Sequence, residues 1–164
     1  MEQTVIDPVC GMAVAPDAFA LTQAGIRYAF CSQQCRDRFV ANTHLYVGTP
    51  GHPAAGQAGR EVVKRRIFRL EQVPGGPEAE ALAAGLRAMM GVKAVHIEAD
   101  RVALTYDLLQ ATAEQLEARM AEVGARLGAG WAERLRRGFL HYQEECEIGS
   151  LAAGADDGRT CHGR

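Results

Sequence analysis

Cys10, Cys31 and Cys35 are the residues whose type and spacing could do chemistry, and they hold three of the chain's five cysteines. Cys10 lies in Asp7-Pro8-Val9-Cys10-Gly11-Met12, and the other two lie in Tyr28-Ala29-Phe30-Cys31-Ser32-Gln33-Gln34-Cys35. Cys31 and Cys35 stand four apart where a short strand passes into a helix, so their thiols are expected on one face. Cys10, between Pro8 and Gly11, belongs to a tight, extended turn. One loop thiolate and two from a helix start make a three-sulfur clamp for a soft or borderline ion. Cu(I) is the favoured ion and Zn(II) the alternative.

Two plainer readings compete: cysteine as a small buried hydrophobe, and a disulfide. The odd cysteine count argues against a closed disulfide framework. Gly25 to Phe30 alternates like a strand feeding the cysteines, and Phe39, one turn beyond Cys35, can pin the helix. Ser32 is the expected N-cap, and the helix start is expected to lower the pKa of the nearby thiols. Three thiolates leave a tetrahedral ion one ligand short. The candidates for the gap are His44, His52, Cys146, Cys161, His162 or a solvent or partner group. Cys161 and His162 sit in a tail that could close over the ion as a lid. Met12 is a weaker thioether candidate, with core packing the preferred reading.

The Asp-Pro-Val-Cys-Gly-Met turn, the Gly-x-x-Tyr-x-Phe-Cys-Ser strand, the second Cys four on and the nearby Phe resemble a YHS domain. That family overlaps the TRASH modules proposed for trafficking, resistance and sensing of heavy metals. The resemblance covers residues 5 to 48. It implies soft-metal binding, often in proteins that partner copper-exporting ATPases.

The clamp needs elements to hold it. Residues 1–48 read as a small metal module: a strand at 12–14, a hairpin partner within 21–30, and a helix from Ser32 to Asn42. Residues 49–60, rich in Gly, Pro and Ala, read as a flexible linker. Residues 61–128 follow the order strand, helix, strand, strand, helix. The strand at 62–71 carries Val63, Ile67 and Leu70 among basic residues expected on a solvated face. Pro77 opens a helix with stripe Leu82, Leu86 and Met89 or Met90. Val95 and Ile97, then Val102, Leu104 and Tyr106, alternate as two strands. Thr112 and Gln115 form a capping box for a helix running to Gly128.

That order predicts a ferredoxin-like α/β sandwich, and with the metal module an α+β fold. It is similar to heavy-metal-associated domains of copper chaperones, which bind metal through Cys-x-x-Cys after the first strand. Here that loop is Val73-Pro74-Gly75-Gly76-Pro77, so the family's site is not carried over. Residues 129–153 read as an amphipathic helix, with Trp131, Leu135, Phe139 and Tyr142 as the stripe expected to pack inward. Residues 154–164 read as a flexible tail.

With 18 Lys and Arg against 20 Asp and Glu, no charge excess points to nucleic acid. Neither a secretory leader nor a membrane-spanning stretch is evident, so a cytoplasmic protein is expected. Paired catalytic acids, a Ser-His-Asp set and a phosphate-binding Gly loop are missing, so no enzyme is expected. The function expected is soft-metal handling, resistance or sensing, with a metal-transporting ATPase or another metal-handling protein as partner. The alternative is a structural zinc module in a protein-interaction scaffold. The oligomeric state is not legible.

Overall fold

The structure, a computed structural model, describes residues 3–152. The chain divides into two units, Met1–Glu61 and Val62–Arg164. In the first, β1 (Val5–Ile6) pairs antiparallel with β2 (Ala13–Val14), and β3 (Leu21–Gln23) with β4 (Ile26–Tyr28). The strand at 12–14 therefore pairs with Val5–Ile6, not with the 21–30 segment as the sequence suggested. The cause is local. The Asp7 N–H donates to the Met12 carbonyl and the Gly11 N–H to the Asp7 carbonyl, both at 2.9 Å. Gly11 takes φ +76°, a backbone that glycine adopts without strain, and the chain doubles back at once. In the second hairpin Ala24 and Gly25 both have positive φ, as a two-residue type I′ turn requires.

Helix α1 (Gln33–Ala41) follows, with Ser32 as N-cap; its hydroxyl accepts the Cys35 N–H at 3.3 Å. Phe39 is fully buried, its ring 4.7 Å from Tyr28, 5.2 Å from Phe30 and 5.9 Å from Tyr46. This aromatic cluster is the core that seats α1 beside β4. Residues 49–60 are not a loose connector. Ala54 and Ala55 are buried, and the Gly56 N–H donates to the Leu45 carbonyl at 2.8 Å. The Gln57 side chain accepts the Gly48 and Ala54 N–H groups at 3.0 Å. Small alanines and one amide that satisfies two backbone donors let this polar segment fold onto the first unit.

The second unit has β5 (Val63–Arg69), α2 (Gly76–Arg87), β6 (Val92–Glu98), β7 (Arg101–Asp107), α3 (Ala113–Glu122) and α4 (Trp131–Ala152). The sheet order is β5-β7-β6, all antiparallel, with Phe68 opposite Val102 and Val95 opposite Leu104. This is the ferredoxin-like arrangement. Val102, Leu104 and Tyr106 are fully buried with Leu82, Leu86, Leu116 and Met120 of α2 and α3. The Thr112–Gln115 capping box forms as expected.

The β5 faces differ from expectation. Val63 and Ile67 lie on the exposed side, and Phe68 and Leu70 are buried. Strand alternation puts Lys64 and Arg66 on the buried side with Phe68, where their stems cover apolar surface. Helix α3 also ends early, at Glu122, and its expected last turn becomes something else. Leu127 forms a single antiparallel bridge with Leu70. That bridge stands where a fourth strand would join the free edge of β5.

Helix α4 lies beside this edge. Arg136 donates to the Ile67 carbonyl at 3.1 Å, so a side chain meets an edge acceptor that a fourth strand would have paired. The Trp131–Leu135–Phe139–Tyr142 stripe does not pack inward; these residues are 73%, 64%, 61% and 59% exposed. The opposite face is the anchored one. Glu144 and Ile148 are buried, Glu147 pairs with Lys64 at 2.6 Å, and His141 and Arg137 meet Glu117 at 2.9 and 3.5 Å. The Glu144 carboxylate accepts the Tyr106 hydroxyl and, at 2.8 Å, the Ala113 N–H at the start of α3. Glu144 and Glu147, unfavourable for α4 alone, are explained by partners on other elements, one of them a helix N-terminus.

Candidate metal centre

The three thiols predicted to act together converge. Cys10 Sγ lies 3.4 Å from Cys31 Sγ, which lies 3.5 Å from Cys35 Sγ. All three are free, with Cys35 buried and the other two half-buried. With Asp7 they form a group whose ligand atoms all lie within 4.8 Å of one another. Cys31 precedes the N-cap, and Cys35 sits in the first turn of α1. Their contact thus arises across the cap and not from two positions within the helix.

Asp7 is the residue that sequence reasoning missed. It is fully buried; Oδ1 accepts the Val9 N–H at 2.8 Å and the Cys10 N–H at 3.4 Å, and Oδ2 accepts the Cys31 N–H at 2.8 Å. One carboxylate thereby ties the loop of the first thiol to the strand end carrying the second. An Asp three residues before a turn cysteine signals the local half of this, an Asx-type turn. No sequence signal announces the bond to Cys31.

A metal–sulfur bond of about 2.3 Å places neighbouring sulfurs about 3.8–4.0 Å apart in tetrahedral or trigonal sites. The observed separations are a few tenths shorter and far longer than a disulfide bond. A small outward shift of the thiols accommodates an ion, so the donor set fits a soft cation. Burial, partly offset by a hydrogen bond from the Met12 backbone, pushes the Cys10 thiol up to about 12; Cys31 and Asp7 add to the rise. Burial, then the Asp7 charge, raises Cys35 further. The expectation that the helix start lowers these pKa values fails for Cys35, because desolvation outweighs the helix-end dipole. Without metal, Cys10 and Cys35 hold their protons until a cation displaces them.

The fourth-ligand candidates fare differently. His44 and His52 are exposed and outside the group, which among the described residues is Asp7, Cys10, Cys31 and Cys35. Cys146 belongs to the second unit, half-buried on α4. Cys161, His162 and the tail lid lie outside the described residues. Met12 is 47% exposed, so core packing does not account for it.

Residues 5–49 match the YHS domain. No curated protein sequence matches the chain. Among solved structures, a CopZ metallochaperone aligns at 18% identity and TM-score 0.38, over 40% of this chain and all of that one. A putative copper-ion-binding protein from Bacillus anthracis str. Ames aligns at 17% identity and TM-score 0.40, over 42% of this chain and all of that one. No helix among the described residues is long and apolar enough to cross a membrane.

Proposed function

We propose that Cys10, Cys31 and Cys35 bind one soft metal ion jointly as thiolates, and that the protein handles, resists or senses a copper-like ion. The observation that carries this reading is the convergence of three free thiols at 3.4 and 3.5 Å in a YHS domain. Three thiolates suit Cu(I), which accepts low coordination by sulfur. Asp7 acts as the scaffold: its oxygens are engaged by backbone donors on both sides of the cluster and fix the loop of Cys10 against Cys31. The reading includes a reducing compartment such as the cytoplasm and a metal-handling partner such as a metal-transporting ATPase. It assigns no catalysis.

Structural zinc is the second reading, favoured by the shortness of the strands around the cluster, two or three residues each. A unit built on such hairpins gains folding energy from a bound ion. Competitive titration of the reduced protein with Cu(I) and Zn(II) separates the two. Tight Cu(I) binding at one ion per chain with weak zinc supports metal handling. Tight zinc with no Cu(I) preference sinks it in favour of structure, and no binding of either ion sinks both.

A further inference from the structure

We infer that α4 is a self-association surface, pairing antiparallel with α4 of a second copy of this chain. Trp131, Leu135 and Phe139 recur four apart and are 73%, 64% and 61% exposed, with Tyr142 at 59% continuing the same stripe. The face that holds α4 on its own unit, through Arg137, Glu144, Glu147 and Ile148, is the opposite one. The stripe therefore points away from the sandwich. Its three rings and one leucine expose on the order of 500 Å² per chain. Two copies would bury on the order of 1,000 Å², the low end for a specific interface and suited to a reversible dimer.

Charge says what covers it. Arg134 and Glu145 are both exposed and take part in none of the ion pairs of α4 among the described residues. They stand eleven residues apart, about three turns, and so flank the stripe along one edge. When two identical helices pair antiparallel about a two-fold axis, the same edge of each meets the other. Arg134 of one copy then faces Glu145 of its partner, twice, with the axis near Phe139. A two-fold interface requires such self-complementarity, and an unrelated partner does not. A bilayer is the poorer fit. The helix carries Glu133, Glu144, Glu145 and Glu147 against Arg134, Arg136 and Arg137, with none of the basic excess of a membrane-surface helix. Gly138 fits the same crossing: it lies within α4, and a Cβ there would meet nothing within 4 Å, which leaves room for a ring from the second copy.

The test uses the full chain, reduced, in sedimentation equilibrium over a wide dilution series. Trp131, the sole tryptophan, serves as a second readout. Dimer mass at high concentration should fall to monomer on dilution, with Trp131 emission moving red in step. Phe139→Asp should abolish the dimer. Arg134→Glu and Glu145→Arg should each weaken it about tenfold or more, since each places like charges opposite one another at two symmetric points. The double exchange should restore it. A monomer at every concentration overturns the inference, as does a dimer indifferent to the single reversals or not recovered by the double exchange. Trp131 shielded in a monomer, or shielded only by phosphatidylcholine–phosphatidylglycerol vesicles, assigns the face to another occupant and overturns it equally.

Discussion

Oδ2 of Asp7 accepts the Cys31 backbone N–H at 2.8 Å, across twenty-four residues of chain. The same buried carboxylate accepts the Val9 and Cys10 N–H groups through Oδ1. The relative position of two thiols is thus set by one side chain that offers no hydrogen-bond donor of its own. A carboxylate buried in this way is stabilised by the three backbone N–H groups that it accepts, so its position is fixed by the fold around it.

Asp7→Asn tests this directly. The amide replaces one acceptor oxygen with a donor that faces a backbone N–H, and it removes the negative charge. Metal affinity should fall about 10–100-fold, as for other outer-shell partners of a metal site. The metal-free first unit should also lose about 1–3 kcal/mol. Competition against a chromophoric chelator measures the first effect and a denaturant melt the second. Unchanged affinity would leave Asp7 a purely local turn residue.

Replacing Cys10, Cys31 or Cys35 with Ser removes one soft donor from a set of three. Each single variant should lose affinity by orders of magnitude, and none should bind with full stoichiometry. Full stoichiometry and affinity in any two of the three would dismantle the joint site.

The raised thiol pKa values carry a pH dependence with a definite sign. In the metal-free fold Cys10 is pushed up to about 12 from an ordinary 9.0, by burial first, and Cys35 is raised further. The folded state thus holds these protons more tightly than the unfolded chain. The stability this contributes is complete below about pH 9 and is lost as pH climbs from there towards 12. Metal-free protein in chelator should melt more easily at pH 10 than at pH 8, and the loaded form should resist the change. Loading near neutral pH should release protons, so affinity should rise with pH. Proton release is read in a weakly buffered titration. A release near zero would mean that the thiols are already ionised.

Much of this was legible from spacing alone. Ser32 as N-cap, the Thr112–Gln115 box and Phe39 in the core follow from local signals, and the convergence of the three cysteines follows from their type and their placement on a turn and a helix start. Two of the failures share a cause, which is long-range polar contact. The bond from Asp7 to Cys31 and the rotation of α4 each depend on one polar group meeting another far along the chain. Residues 49–60 instead fold back on nearby backbone groups through Gln57 and Gly56. Hydrophobic periodicity located the stripe on α4 correctly and then sent it inward, because apolar stripes usually go there. Glu144, Glu147 and Arg137 outweighed that tendency by fixing the opposite face to β5, β7 and α3.

Glu144 is accordingly the residue on which the placement of α4 turns. It is 2% exposed, and its carboxylate serves the Tyr106 hydroxyl and the Ala113 N–H at once. Burial, then the neighbouring Glu144, raises the Tyr106 pKa, so the hydroxyl stays a proton donor throughout the accessible range. Glu144→Ala removes the acceptor from two buried donors and should cost the second unit about 2–4 kcal/mol. Tyr106→Phe removes one donor and leaves the carboxylate its backbone partner, so about 1–2 kcal/mol is expected. The two residues share one interaction, so the double variant should cost less than the sum of the singles. Denaturant unfolding in chelator, followed by Trp131 fluorescence, measures all three on α4 itself. Simple additivity would show that the contact does not couple the two residues, and the rotation of α4 would then rest on its ion pairs to Lys64 and Glu117.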